Sequence, residues 1–335
     1  MRTRALGSIE VSEIGMGCMG LSHGYGSIPD EDYSIGAIRA AYDAGCTFFD
    51  TAEGYGPNLL PANRGHNERI LGKAVRGLRD EAVLATKLHV PTGEAVADGV
   101  EAVLRRHLEA SLKRLGTDRV DLYYLHRVNP DVPVEDVAGG MGRLIDDGLI
   151  RGWGLSQVPV TVIERAHAVT ALSAVQNIYS MVERGVEAEV IPYCEAHNIG
   201  LVPFSPIASG LLSGRLTPDT RFEKKDDVRN LVPQLSRENL AANRPLIDLL
   251  ASFASAKGAT SAQICLAWML HKYPHVVPIP GSKNKERILE NLGAADVTLT
   301  DDEFARLQRK LDTIEMHGHR GFDESEGRRL LNPSR

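Results

Sequence analysis

The sequence predicts a (β/α)8 TIM barrel with a short N-terminal hairpin and extended C-terminal rim loops. Three observations carry this. Short apolar runs alternate with amphipathic segments about eight times, the number that closes an α/β barrel. The apolar runs end repeatedly on a polar residue or glycine: Asp50, Lys87, His126, Ser156, Asn177, Ser205 and Gly281. A barrel gathers such ends on one rim. Finally, 335 residues at 43% hydrophobic content can fill one large α/β core. The chain 1–335 is therefore read as a single domain, with 315–335 a tail at the barrel mouth.

The elements follow in order. Residues 4–11 suit a hairpin cap. The run 13–17 precedes a helix over 31–43, with Tyr33, Ile35, Ile38 and Ala41 facing inward. Strand 46–50 leads to helix 67–76. Strand 83–87 leads to helix 100–115, whose Leu104, Leu108, Leu112 and Leu115 share one face. Strand 120–125, helix 134–147, strand 151–155 and helix 159–168 continue the alternation. Strand 174–178, helix 186–197 and strand 200–204 extend it. Helices near 241–256 and 261–271 come next, the second opened by the capping-box pair Thr260 and Gln263. Strand 275–279 and helix 285–292 complete the series. The polar segment 214–240 far exceeds a connection of about five residues. It is either a surface excursion or a flap over a ligand, and its departure from the same rim favours the flap. The segment 56–67 also interrupts the pattern, beside Tyr55.

Composition excludes several classes. Thirty-eight basic residues against 44 acidic ones leave a net charge of −6, with no long-range pull toward nucleic acid or an anionic membrane. Cys18, Cys46, Cys194 and Cys265 form no CxxC unit, which fits a reducing compartment and not a disulfide framework. The first fifteen residues lack the apolar run of a signal peptide. No stretch is long enough to span a bilayer. A cytoplasmic protein without nucleic-acid or membrane partners is expected. No metal is expected either: Pro274 breaks the helix that would align His271 with His275, and His317 and His319 lack a carboxylate or thiol cluster.

Residues 15–20 match GxGxxG. A dinucleotide fingerprint needs a helix to open at once and an acid about twenty residues on. Here a Gly/Ser loop follows, so a tight turn at a strand end is the better account. Asp50 and Lys87 end neighbouring strands, which lie about 5 Å apart, so they can pair. Tyr55 stands one loop turn away. A nearby ammonium favours the phenolate and is expected to lower the phenol pKa. His126 ends the next strand as a further polar group. At the other end of the chain Gly281, Ser282, Lys283 and Asn284 lead into a helix with Arg287 in its first turn, an arrangement suited to an anion.

The segments GMGCMGLSHGYG, DTAEGYG, LATK, YYLH, GWGLS, VQNIYS, PFSPIASGLLSGR and IPGSKNKERILENLGA resemble the motifs of the aldo-keto reductase family, in the family's order, over nearly the whole chain. The resemblance implies a (β/α)8 barrel that uses NADP(H) and reduces a small aldehyde or ketone. It places a catalytic tetrad on Asp50, Tyr55, Lys87 and His126, with Tyr55 the proton donor. It places the nicotinamide carboxamide against Ser156 and Gln176. Strand alternation lets only one of Gln176 and Asn177 face the ligand, and the resemblance selects Gln176. Phe204 takes a position usually held by tyrosine, keeping the stacking ring. Ser205, Ile207, Ser209 and Gly210 match the loop around the pyrophosphate. Ser282 and Arg287 match contacts to the 2′-phosphate, with Lys283 compensating for Gly281, where many relatives carry lysine. Glu290 and Asn291 match adenine contacts, although the charge of Glu290 works against an added phosphate. The family also includes cofactor-sensing auxiliary subunits with slow turnover, an alternative that the intact tetrad disfavours. A barrel enzyme using a Schiff-base lysine is disfavoured by Tyr55 and by the anion-binding segment.

Overall fold

The computed structural model describes residues 1–223, 225–323 and 328–329. A parallel sheet curls through β3 (Met16–Gly17), β4 (Phe48–Asp50), β5 (Val83–Leu88), β6 (Val120–Leu125), β7 (Ile150–Ser156), β8 (Ala174–Gln176) and β9 (Gly200–Leu201). The eighth position is held by the extended segment 275–281. Leu201 N donates to His275 O at 2.9 Å and Val277 N to Leu201 O at 2.8 Å on one side. On the other side Gly15 N donates to Pro278 O at 2.9 Å, and Gly17 bridges Gly281. The barrel therefore closes. The expected strand 275–279 forms no continuous ladder because Pro278 and Pro280 have no N–H to give. Pro203 shortens the expected strand 200–204 in the same way.

The hairpin β1 (Thr3–Leu6) and β2 (Ile9–Ser12) plugs the bottom. Its Leu6, Ile9 and Val11 pack with Phe48, Val83, Ala85, Leu122, Tyr124, Ala174, Val202, Val277 and Ile279, which fill the barrel interior. Alternate residues on the same strands, such as Phe49, Leu84, Tyr123 and Val175, pack outward against the helices. This period of two aims the strand ends. Phe48 and Asp50 point inward together, as do Ala85 and Lys87, and Tyr124 and His126. Gly154 leaves room for this core: a Cβ there would stand 2.6 Å from the Tyr124 ring.

Helices α1 (Glu31–Asp43), α2 (His66–Ala74), α4 (Val100–Leu115), α5 (Val134–Asp146) and α6 (Val160–Val169) fall where the pattern places them. So do α7 (Val190–Ala196), α9 (Arg244–Lys257), which the short α8 (Arg237–Ala242) precedes, α10 (Ser261–Lys272), with its capping box, and α11 (Lys285–Leu292). The inward face of α1 differs from expectation. Ser34, Ala37, Ile38 and Ala41 are buried, while Tyr33 is exposed and accepts a hydrogen bond from Lys285 N at 2.9 Å. The short helix α3 (Thr92–Asp98) and α12 (Asp301–Leu311) carry no counterpart in the sequence reading. The expected tail is described as far as Asp323 and again over 328–329; its other residues, and Lys224 in the long insertion, lie outside the described residues. No helix among the described residues is long and apolar enough to cross a membrane.

Candidate active site

The rim of the barrel encloses a cavity of about 650 Å³. Asp50, Tyr55, His126, Ser156, Gln176 and Phe204 line it at the strand ends, and Ser205, Ile207, Ser209 and Gly210 line its flank. Gly281, Ser282, Lys283, Arg287, Glu290 and Asn291 line its far end. Lys87 lies just beneath, fully buried. Every residue that the resemblance assigned to catalysis or cofactor binding thus falls in or directly under one cavity.

Alternation along β4, β5 and β6 creates the floor. Lys87 Nζ pairs with Asp50 and donates to Thr51 O at 2.7 Å. It also stands 5.2 Å from the centre of the Tyr55 ring. Gln176 Nε2 donates to the other Asp50 oxygen at 2.8 Å, so Gln176 Oε1 is left as an acceptor. Burial draws Lys87 toward neutrality, but Asp50 and Tyr55 more than offset it, and the ammonium is held above its ordinary pKa. Tyr55 differs from expectation. Burial pushes its phenol up, and the opposing pull of Lys87 leaves it above the ordinary value. The group is a phenol at neutral pH, with a cation waiting beside the oxygen. His126 is driven well below the ordinary histidine value by burial, then by Arg127 and Lys87, and is neutral.

Ser156 Oγ accepts from Arg127 Nη1 at 3.0 Å. Asn177, in contrast, turns out of the cavity: its Oδ1 accepts from Val158 N at 3.1 Å and its Nδ2 donates to Val158 O at 2.8 Å. Along the flank, Ser205, Ser209 and Gly210 have φ of 52°, 54° and 102°, left-handed backbone that turns the loop sharply around the cavity. At the far end the anion-site reading needs adjustment. The N–H groups of Lys285 and Arg287 are taken by Tyr33 Oη and Asn284 Oδ1, so neither is open to an anion. Lys283 Nζ itself reaches Ser27 O at 2.7 Å and Glu223 at 3.3 Å. The charge of Glu290 is met by Arg215 at 2.5 Å, which removes its objection to a phosphate.

The 214–240 segment crosses the cavity mouth. Leu216, Phe222 and Arg229 line the cavity. Gly26 N donates to Asp226 O at 2.9 Å and Val228 N to Gly24 O at 3.0 Å, which ties the segment to the 22–28 loop. His23, His89, Arg127, Arg215 and Arg320 also line the cavity, and sequence reasoning named none of them individually. Arg215 opens the 214–240 insertion and Arg320 lies in the 315–335 tail, both marked as segments from the sequence.

The Tyr55 loop is braced from behind. His107 Nδ1 meets Glu53 at 2.9 Å and its Nε2 meets Glu94 of α3 at 3.1 Å; Arg114 stands 4.0 Å from Glu53. The hydrogen bond to Glu53 raises the His107 pKa above its ordinary value, burial opposes this, and Glu94 adds to it. A raised pKa means that the stabilisation is complete below the unfolded value of about 6.5 and is lost as pH rises through the folded one. The His107→Gln variant is expected to unfold at lower denaturant than the parent at pH 6, with the gap narrowing by pH 9. A gap constant with pH would show that His107 is not charged in the fold.

A model of the aldo/keto reductase family matches residues 13–312. A glycerol dehydrogenase from Gluconobacter oxydans superposes with a TM-score of 0.81 at 27% identity, covering 93% of this chain and 95% of that one. An aldo/keto reductase from Klebsiella pneumoniae in complex with NADP and acetate matches at 0.71 and 30% identity, covering 95% and 97%. An aldo-keto reductase from the same organism, in complex with NADPH, matches at 0.70 and 29%, covering 92% and 95%.

Proposed function

The chain belongs to the aldo/keto reductase family, and from this we propose that it reduces an aldehyde or ketone to the alcohol, with NADPH as cofactor and Tyr55 as proton donor. One observation carries the reading. Inward strand ends bring Asp50, Lys87 and His126 around Tyr55 at one end of a cavity whose other end holds Ser282, Lys283 and Arg287.

The residues present suit the cofactor. The buried Ser209 Oγ has no hydrogen-bond partner among the described residues and sits in the left-handed loop, where a pyrophosphate oxygen would meet it. Ser156 and Gln176 Oε1 would hold the carboxamide, and the Phe204 ring would cover the nicotinamide face. Ser282, Lys283 and Arg287 would take the 2′-phosphate, and Glu290 and Asn291 the adenine. The bound cofactor supplies hydride. The chain does the rest. The neutral His126 orients the carbonyl oxygen by a hydrogen bond, Tyr55 gives that oxygen a proton, and Lys87 stabilises the phenolate as it forms. Asp50 keeps Lys87 charged and in place. In oxidation Tyr55 takes the proton back. Four buried free cysteines support a cytoplasmic setting.

The direct test is NADPH oxidation over a panel of aldehydes, ketones, quinones and sugars; no turnover with any of them would reject the reading. For the cofactor, Arg287→Ala is expected to weaken NADPH by about tenfold or more, the worth of a charge-assisted hydrogen bond, and NADH by much less. Fluorescence titration with both cofactors checks this. Equal weakening would mean that Arg287 does not read the 2′-phosphate.

A further inference from the structure

We propose that His23 is a substrate-binding residue that hydrogen-bonds a hydroxyl next to the reacting carbonyl, so that the preferred substrates are hydroxylated aldehydes or ketones. The inference rests on the reductase reading and deepens it. His23 lies on the cavity wall with its ring centre 5.3 Å from that of Tyr55. The Tyr55 ring in turn meets His126 edge-on at 5.6 Å. The proton donor thus stands between two imidazoles.

His23 is only 6% exposed, yet neither Nδ1 nor Nε2 has a hydrogen-bond partner among the described residues. Buried polar groups are nearly always paired, so two idle nitrogens on one ring that lines a cavity mark a place where a ligand makes the bonds. The neighbouring Ser22 is satisfied. Ser22 Oγ meets His66 Nδ1 at 3.0 Å and accepts from Asn67 Nδ2 at 2.7 Å. Asn67 Nδ2 also donates to Cys18 O at 2.9 Å. The His23 backbone is itself anchored, its N–H donating to Met19 O at 3.1 Å. The ring is thus held on the cavity wall against Tyr55.

Its charge state selects the partner. Burial holds the imidazole below its ordinary pKa, with Asp226 opposing, so the ring is neutral. A neutral imidazole offers one donor and one acceptor. A hydroxyl offers the same pair and complements it. A carboxylate would call for a cation, and an alkyl group would leave both nitrogens unmet. The position beside Tyr55 puts that hydroxyl on the carbon adjoining the carbonyl.

The test compares 2-hydroxypropanal with propanal, which differ by one hydroxyl, with saturating NADPH. The parent protein is expected to prefer 2-hydroxypropanal by about tenfold or more in kcat/KM, since a site built to bond a hydroxyl strongly rejects the analogue that lacks it. In His23→Phe, which keeps a ring against Tyr55, the preference is expected to fall to about onefold, mainly through a raised KM for 2-hydroxypropanal, while propanal changes little. His23→Gln, which restores a donor and an acceptor, is expected to recover part of the preference. A parent with no preference, or a preference untouched in His23→Phe, overturns the inference while leaving the reductase reading intact. A parent that turns over neither these aldehydes nor any other carbonyl overturns both, and this shows before any variant is made.

Discussion

Tyr55→Phe is expected to lower kcat/KM for carbonyl reduction by about 10²–10⁴-fold, the usual contribution of a positioned proton donor, while the Kd for NADPH stays within about twofold. The ring stays between His23 and His126, so packing is kept and only the hydroxyl is lost. The size of the effect follows from the state of the phenol. Burial holds it above its ordinary pKa, so it is protonated throughout the neutral range. An unassisted phenol of that kind is a reluctant acid. On the proposed mechanism its proton would leave because the Lys87 ammonium lies beside the oxygen that becomes negative. The cation would then act on the transition state and not by creating phenolate at rest. Stopped-flow hydride transfer together with cofactor titration checks this. Full activity in the variant would assign the proton to another group, and lost NADPH binding would make Tyr55 a binding residue instead.

Much of this site was legible because strand periodicity is strict. Once Phe48-Phe49-Asp50 is read as a strand end, Asp50 must share the face of Phe48, and the same rule aims Lys87 with Ala85. It also separates Gln176 from Asn177, and the structure sends Asn177 outward to Val158. What escaped depends on distant segments meeting. Arg215 is 75 residues from Glu290, and no local pattern announces their pairing. His23 reads as one more polar residue in a Gly/Ser loop until Tyr55 is placed against it. Tyr33 sits at a helical spacing that suits the core, but its hydroxyl is drawn to the start of α11. The direction of the Tyr55 pKa was misread for a related reason: a sequence names the neighbouring ammonium and does not reveal how deeply the phenol is buried. The eighth strand was found in place, but its prolines limit it to isolated bonds.

Lys87→Met is expected to cost about 3–5 kcal/mol of stability and at least about a hundredfold in kcat. The two losses have different causes, and a second variant separates them. Lys87 and Asp50 are both buried, so removing the ammonium strands a carboxylate whose remaining side-chain partner is Gln176. Such breakage is far more destabilising than loss of the whole pair. Asp50→Asn combined with Lys87→Met removes both charges and keeps an amide beside Gln176. It is therefore expected to recover most of the lost stability. It is not expected to recover rate, because the ammonium that would stabilise the oxygen of Tyr55 as its proton departs is gone. Equilibrium denaturation gives the first quantity. Turnover measured well below the unfolding transition, with NADPH binding confirmed, gives the second. If the double variant regains activity with its stability, Lys87 serves Asp50 alone and Tyr55 needs no cation.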